Sequence, residues 1–156
     1  MRGVIICNEK LCSGCGRCLL RCSLKKEAVY NLKKARLHLI NSIEDMTRTV
    51  VACGICSREL CVEVCPKNAL KLNNGILTVL EENCSGCGLC VKACYFNAIR
   101  LHPQKKVPLA CDLCGGDPEC VKACPSGALY LTSKSDLKPG KVVSIQKLAV
   151  TGRGVF

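Results

Sequence analysis

The chain has 156 residues, of which 49% are hydrophobic, only 3% are aromatic and seventeen are cysteine. This length allows one domain or two small ones, with few bulky side chains to fill a core. The formal charge is +11, but no basic patch interleaved with aromatic residues supports a nucleic-acid partner, so none is expected. The chain contains neither a signal-peptide core nor a long apolar run. We therefore expect a cytoplasmic protein without a membrane anchor.

The first elements are a strand, a cysteine block and an insertion. The apolar segment VIIC predicts a strand near residue 5 that ends at Cys7, whose thiol we expect to be buried and inert. The first cysteine block, spaced C-x2-C-x2-C-x3-C, comprises Cys12, Cys15, Cys18 and Cys22. After it, SLKKEAVYNLKKARLHLI predicts a short basic helix with Ser23 as its N-cap, followed by a strand.

The segment TRTVVA predicts a strand that leads into the middle of the chain. The second block, whose middle gap is widened to four residues, comprises Cys53, Cys56, Cys61 and Cys65. The linker PKNALKLNNGILTVLEEN predicts a hairpin, because apolar residues alternate on both sides of an Asn-Asn-Gly turn. The third block returns to the compact spacing and comprises Cys84, Cys87, Cys90 and Cys94.

The last cysteine block precedes a tail without cysteine. The fourth block, whose middle gap is five residues, comprises Cys111, Cys114, Cys120 and Cys124. Lys138-Pro139-Gly140 predicts a turn in the tail, and VVSIQKLAV predicts a strand; the tail could pack on the core or dock a partner.

Each block has the cysteine spacing that binds a [4Fe–4S] cluster. The first three cysteines bend around one corner of the cubane, and the fourth leaves on a short helical turn. Glycines at Gly14, Gly16, Gly86 and Gly88 let the backbone approach the inorganic sulfides. Structural zinc and disulfides are the alternatives, but zinc sites usually pair two CxxC knuckles across a longer span. The sequence therefore predicts four [4Fe–4S] clusters.

The clusters also account for much of the positive charge. An oxidised cluster with four thiolates carries about −2, so four of them would leave a net charge of about +3. Internal repetition points to the same cofactors: CSGCGRCLLRC is nearly repeated as CSGCGLCVKAC, and CVEVCPKNALKL recurs as CVKACPSGALYL.

These motifs resemble a duplicated two-cluster bacterial ferredoxin. In such ferredoxins the fourth cysteine of one block ligates the cluster of the other. The resemblance implies that the second and third blocks exchange ligands, so that Cys53, Cys56 and Cys61 pair with Cys94, while Cys84, Cys87 and Cys90 pair with Cys65. The first and fourth blocks would likewise exchange Cys124 and Cys22.

This nested pattern resembles the four-cluster iron–sulfur subunits of molybdenum and tungsten oxidoreductases over about residues 4–132. It implies an α+β fold of short hairpins and helices around the clusters. Residues 1–50 and 104–135 would form an outer ferredoxin-like module, 51–103 an inserted one, and 136–156 a tail. The specific marks are the widened gaps and the phrase CDLCGGDPECVKACPSGAL.

The resemblance implies an electron-transfer subunit rather than an enzyme. No nucleotide-binding glycine loop or Ser–His–Asp set is present, so substrate chemistry would occur on a large tungsten or molybdenum pterin subunit. The best match is the small subunit of a tungsten aldehyde:ferredoxin oxidoreductase-type enzyme, with ferredoxin or a similar carrier as the second partner. A formate dehydrogenase or hydrogenase subunit, a free-standing polyferredoxin and, remotely, a zinc-stapled binding module are the alternatives.

Overall fold

The computed structural model describes residues 3–43, 46–54, 56 and 58–137. Within these residues, eight short strands pair as four separate two-stranded antiparallel sheets. Four α-helices accompany them, one beside each cysteine block. The predicted turn and strand of the tail lie outside the described residues.

The first sheet joins the two ends of the described chain. Strand β1 (Gly3–Cys7) pairs with β8 (Leu129–Ser133), so that Cys7 lies opposite Leu129. Successive side chains of a strand point to opposite faces. Ile5 and Cys7 accordingly belong to one apolar core, while Val4 and Ile6 belong to another. Burial on both faces explains why this strand is apolar without interruption.

The other three sheets are hairpins between cysteine blocks. They pair β2 (Leu37–Ser42) with β3 (Thr47–Ala52), β4 (Leu70–Asn73) with β5 (Ile76–Val79), and β6 (Arg100–Leu101) with β7 (Pro108–Leu109). The predicted VIIC and TRTVVA strands and the Asn-Asn-Gly hairpin are therefore confirmed. Asn74 and Gly75, at the turn between β4 and β5, both have positive φ, as a tight primed turn requires.

The helices are α1 (Arg17–Glu27), α2 (Leu60–Glu63), α3 (Leu89–Ala93) and α4 (Glu119–Lys122). The prediction that Ser23 caps a new helix is wrong, because α1 begins earlier and continues through Ser23. That side chain is fully buried, where its Oγ donates to the Leu20 carbonyl and accepts from the Asn31 amide. Proline follows the fourth cysteine of the second and fourth blocks and cannot continue a helix, whereas serine at this position lets α1 run on.

Three apolar cores lie between these elements. One contains cysteines of the first and fourth blocks together with Leu19 and Leu37. Another contains Cys61 and Cys90, from the second and third blocks, with Leu70 and Ile99. The third lies around Val4, Ile6 and Phe96 and includes no fully buried block cysteine. Helix α1 contacts α4, and α2 contacts α3. The molecule is a small mixed α and β structure of short hairpins and short helices.

Candidate iron–sulfur centres

The helices place the third cysteine of every block at or near a helix start. These cysteines are Cys18, Cys61, Cys90 and Cys120, and all four are buried. The first two cysteines of each block precede the α-helix, with Cys114 in a 3₁₀ turn, and the fourth lies just after the helix or, for Cys22, inside the longer α1. All seventeen cysteines are within the described residues, and all are free thiols.

Two cavities are each bordered by three cysteines of one block and the fourth cysteine of another. The first is lined by Cys12, Cys15, Cys18 and Cys124. The second is lined by Cys84, Cys87, Cys90 and Cys65. Cys124 belongs to the fourth block and Cys65 to the second, so each cavity brings together cysteines of two different blocks.

None of the remaining eight cysteines is exposed. Cys53, Cys56 and Cys61 line a third cavity, which Cys111 also borders. Burial and then the charge of Cys94 raise the pKa of Cys53 and of Cys61, so Cys94 lies close to both. In the fourth block, Cys111 and Cys120 interact in the same way with Cys22 and with Cys114.

The loops of the first and third blocks turn at glycines that have no room for a side chain. Gly14 has a φ of +71°, and a Cβ there would lie 2.5 Å from Cδ of Arg48. Gly86 has a φ of +70°, and its Cβ would lie 3.2 Å from the carbonyl oxygen of Lys106. Both positions therefore require glycine, for conformation and for space.

Backbone amides donate to the fourth cysteine of each block. The amides of Arg36, Ala69 and Ala98 lie 3.3, 3.3 and 3.2 Å from the Sγ atoms of Cys22, Cys65 and Cys94. Burial acts to raise the pKa of the Cys124 thiol, but the backbone of Leu129, the Ser126 hydroxyl and the backbone of Ala128 together hold that pKa below its ordinary value. Such bonds stabilise thiolate over thiol and tune a bound cluster.

Burial has the opposite effect on the deepest thiols. It raises the pKa of Cys18 and of Cys111 to about 12 and that of Cys61 to about 11. At the surface, the Leu89 amide lowers the pKa of Cys87. Because iron binds thiolate, metal must displace the protons of the buried thiols.

The donor geometry fits iron–sulfur cubanes. Within the described part of the chain, no three Cys, His, Asp or Glu side chains converge closely enough to hold one metal ion. Four thiols spread around a cavity instead suit a cubane, in which each iron takes one thiolate. A zinc ion would need its ligands about 2.3 Å from a single point. The cysteine groups therefore fit [4Fe–4S] clusters better than structural zinc.

Cys7 and the histidines lie outside these groups. Cys7 is 5% exposed, and burial raises its pKa to about 11, so the thiol stays protonated. His38 is buried, and burial together with the charge of Arg100 lowers its pKa to about 4. Nδ1 of His102 accepts from the amides of Gln104 and Lys105, and this histidine is buried as well.

Several basic side chains near the cysteine loops were missed by the sequence reasoning. Arg48 Nη1 donates to the carbonyl of Ser13, and Lys134 Nζ donates to that of Cys56. Arg36, noted only as part of a basic run, donates through its backbone to Cys22 and through its side chain to the Ala110 carbonyl. Aligning the cysteine repeats would have found Arg36, but no pattern signals the other two.

Comparison with known proteins agrees with this site. The LdpA Fe–S cluster-binding domain matches residues 52–107, and a 4Fe-4S binding domain matches residues 111–128. The aliphatic sulfonate oxidoreductase polyferredoxin-like subunit of Pyrococcus furiosus is 36% identical over 78% of this chain and 70% of its own length. The thiosulfate reductase electron transfer subunit PhsB of Salmonella typhi is 31% identical over 81% of this chain and 73% of its own length.

A solved structure shares the fold. A chain of the active-site complex BamBC of benzoyl coenzyme A reductase matches 97% of this chain and 91% of its own length, with a TM-score of 0.52 and 22% identity. At that identity the likeness is one of fold alone.

The fold, the cysteine groups and the matched domains define a ferredoxin-like electron-transfer protein that binds [4Fe–4S] clusters. The sequence relatives place the chain in the same class as its site does. The chain belongs to the family of polyferredoxin-like iron–sulfur electron-transfer subunits of oxidoreductases, which confirms the resemblance drawn from its cysteine blocks. No helix in the described residues has the length and apolar character needed to cross a membrane.

Proposed function

We propose that this chain carries electrons between a large tungsten or molybdenum pterin subunit, of the aldehyde oxidoreductase type, and a carrier such as ferredoxin. Support for a catalytic partner comes from the relatives, which are named as subunits of oxidoreductases. The pterin and the aldehyde-type partner come from the resemblance of the nested cysteine pattern. When bound, each [4Fe–4S] cluster accepts and releases one electron.

The proposal includes the nested exchange of ligands. The observation that carries it is the cavity lined by Cys12, Cys15, Cys18 and Cys124, because residues more than a hundred positions apart meet there. The grouping of Cys65 with the third block gives the same support to the inner pair. One module would then comprise residues 51–103, enclosed by a second one formed from residues 1–50 and 104–135.

Burial suggests an order for the relay. Cys15 and Cys87 are exposed, so the first-block and third-block centres would exchange electrons with partners. Cys111 borders the cavity of the second block and interacts electrostatically with Cys53, which links the two modules. We therefore propose the order third, second, fourth and first block, in either direction of flow.

Anaerobic purification from the native source tests the partner. We expect a large subunit to copurify with this chain and to contain tungsten or molybdenum with a pterin. Isolation of this chain alone, with its clusters intact, would instead favour a free-standing polyferredoxin. A large subunit with formate dehydrogenase or hydrogenase activity would favour those alternatives over an aldehyde-oxidising enzyme.

A further inference from the structure

Arg36 occupies a position that the other three cysteine blocks fill with alanine. In the second and third blocks, the amide that bonds the fourth cysteine belongs to Ala69 and Ala98, and in the fourth block Ala128 holds the same place, four residues after Cys124 and directly before the strand that begins at Leu129. In the first block, after the insertion, the amide of Arg36 makes the corresponding bond, 3.3 Å from Cys22 Sγ. The same backbone position therefore carries an alanine three times and an arginine once.

The next residue supports this equivalence. A buried aliphatic residue follows each of the four positions, namely Leu37, Leu70, Ile99 and Leu129. The three alanines are themselves buried, with 1–5% of their surface exposed. Packing at this position is thus satisfied by a methyl group. An arginine there is not explained by packing, since it brings a charge into an apolar position.

The side chain of Arg36 reaches the ligand-bearing segment of the fourth block. Its Nη1 donates to the carbonyl of Ala110 at 3.3 Å, directly before Cys111. Its Nε is buried and has no hydrogen-bond partner in the part of the chain that the structure describes. The guanidinium therefore lies between the two segments that carry Cys22 and Cys111.

The neighbouring acid does not cancel this charge. Asp112 also lies close to Arg36, but its Oδ2 pairs with Lys26 Nζ at 2.6 Å, and its Oδ1 accepts from the amide of Cys114 at 3.1 Å. Because Lys26 neutralises the Asp112 carboxylate, the positive charge of Arg36 remains uncompensated. A partly buried charge is screened less by solvent than an exposed one.

We propose that Arg36 raises the reduction potential of the cluster held by Cys111, Cys114, Cys120 and Cys22. Reduction adds one negative charge, and a fixed cation nearby favours the reduced form. This inference rests on the ligand exchange of the proposed function, which assigns Cys22 to the fourth block. Because its reduction potential is raised, this interior cluster is reduced more easily, and electrons accumulate on it during the relay.

The test substitutes Arg36→Ala in the cluster-loaded protein. The other three blocks have alanine at this position, so the variant should keep the backbone conformation and the hydrogen bond from the amide of residue 36 to Cys22 Sγ. Iron analysis should still give about sixteen irons per chain, and EPR-monitored redox titration should show one cluster that is harder to reduce. We expect its reduction constant to fall about tenfold, or about 59 mV for a one-electron couple. The affected signal should be the one that Cys114→Ser alters.

Two further variants separate charge from shape. Arg36→Lys keeps the charge and should keep most of the potential, whereas Lys33→Ala, which removes an exposed charge nearby, should change nothing. Four unchanged midpoints in Arg36→Ala, or an equal shift in Arg36→Lys, would overturn the inference.

Asp112→Asn provides a second test should Arg36→Ala lose iron. Asparagine keeps the oxygen that accepts from Cys114 but removes the negative charge, so the same signal should become easier to reduce. An unchanged midpoint there would also reject the role of local charge. Failure of the ligand exchange would look different, because Cys22→Ser would then alter the signal of the first-block cluster rather than the signal that Cys114→Ser alters.

Discussion

At the scale of single residues, the proposed ligand exchange depends on the fourth cysteine of each block. Cys124 borders the cavity of the first block, although it follows Cys111, Cys114 and Cys120 in sequence. Its Sγ also lies 3.7 Å from the hydroxyl of Ser126. A thiol in this position can serve only the centre that it faces, so it reports which blocks exchange ligands.

Cys124→Ala should therefore damage the first-block cluster more than the fourth-block cluster. The EPR signal that it removes or converts should be the one that Cys15→Ala affects, because both cysteines line the same cavity. Cys120→Ala is the matched comparison and should affect a different signal. If Cys124→Ala and Cys120→Ala altered the same signal, the nested exchange would be rejected.

Cys7 gives the opposite expectation. It is buried and protonated at neutral pH, and it belongs to the apolar core rather than to a block. Cys7→Ala should keep about sixteen irons per chain and lower stability by roughly 1 kcal/mol, from the apolar volume removed. Iron analysis and a urea unfolding curve measure both. Loss of about four irons would instead make Cys7 a ligand.

At the scale of elements, the sequence predicted those parts whose cause is local. The β4–β5 hairpin follows from alternation around Asn74 and Gly75, and strand β1 follows from its apolar run. Helix α1 could not be placed in the same way. Ser23 is a good N-cap by type, but its burial against Asn31 depends on the tertiary fold. The role of Arg36 depends likewise on the return of residues 110–112.

The β4–β5 hairpin carries a prediction about stability. Gly75 has a φ of +84°, a conformation that alanine adopts only with strain. Gly75→Ala should destabilise the holoprotein by about 1 kcal/mol, as measured by the denaturant midpoint. Gly75→Asn is the control, since asparagine adopts a positive φ with much less strain and should keep most of the stability. A Gly75→Ala midpoint unchanged or raised would show that the turn is not strained.

Strand β2 carries a prediction about pH. The pKa of His38 is lowered to about 4 by burial and by Arg100, against about 6.5 when unfolded. The unfolded chain then binds the proton more readily, so this histidine should cost stability as the pH falls from 6.5 towards 4. In His38→Gln, the urea midpoint should change less with pH between 6.5 and 4 than it does in the unsubstituted protein. An identical slope in the variant would show that the pKa of His38 is the same in the folded and unfolded protein.

At the scale of the whole molecule, the cysteine blocks predicted the cofactors, the class of protein and the mixed α and β architecture. They did so because cluster ligands must recur at fixed spacings along the chain. The sequence contains no comparable signal for the catalytic partner, since partner recognition depends on a surface assembled from distant residues. The exposed thiols at Cys15 and Cys87 became visible only in the folded chain.

The central claim is that sixteen thiols of this chain hold four iron–sulfur cubanes. The most direct measurement is the content of iron and acid-labile sulfide in anaerobically purified and reconstituted protein. The account predicts about sixteen of each per chain, from four clusters of four irons. About eight irons would contradict the four-cluster assignment, and colourless protein that contains zinc without sulfide would contradict the account as a whole.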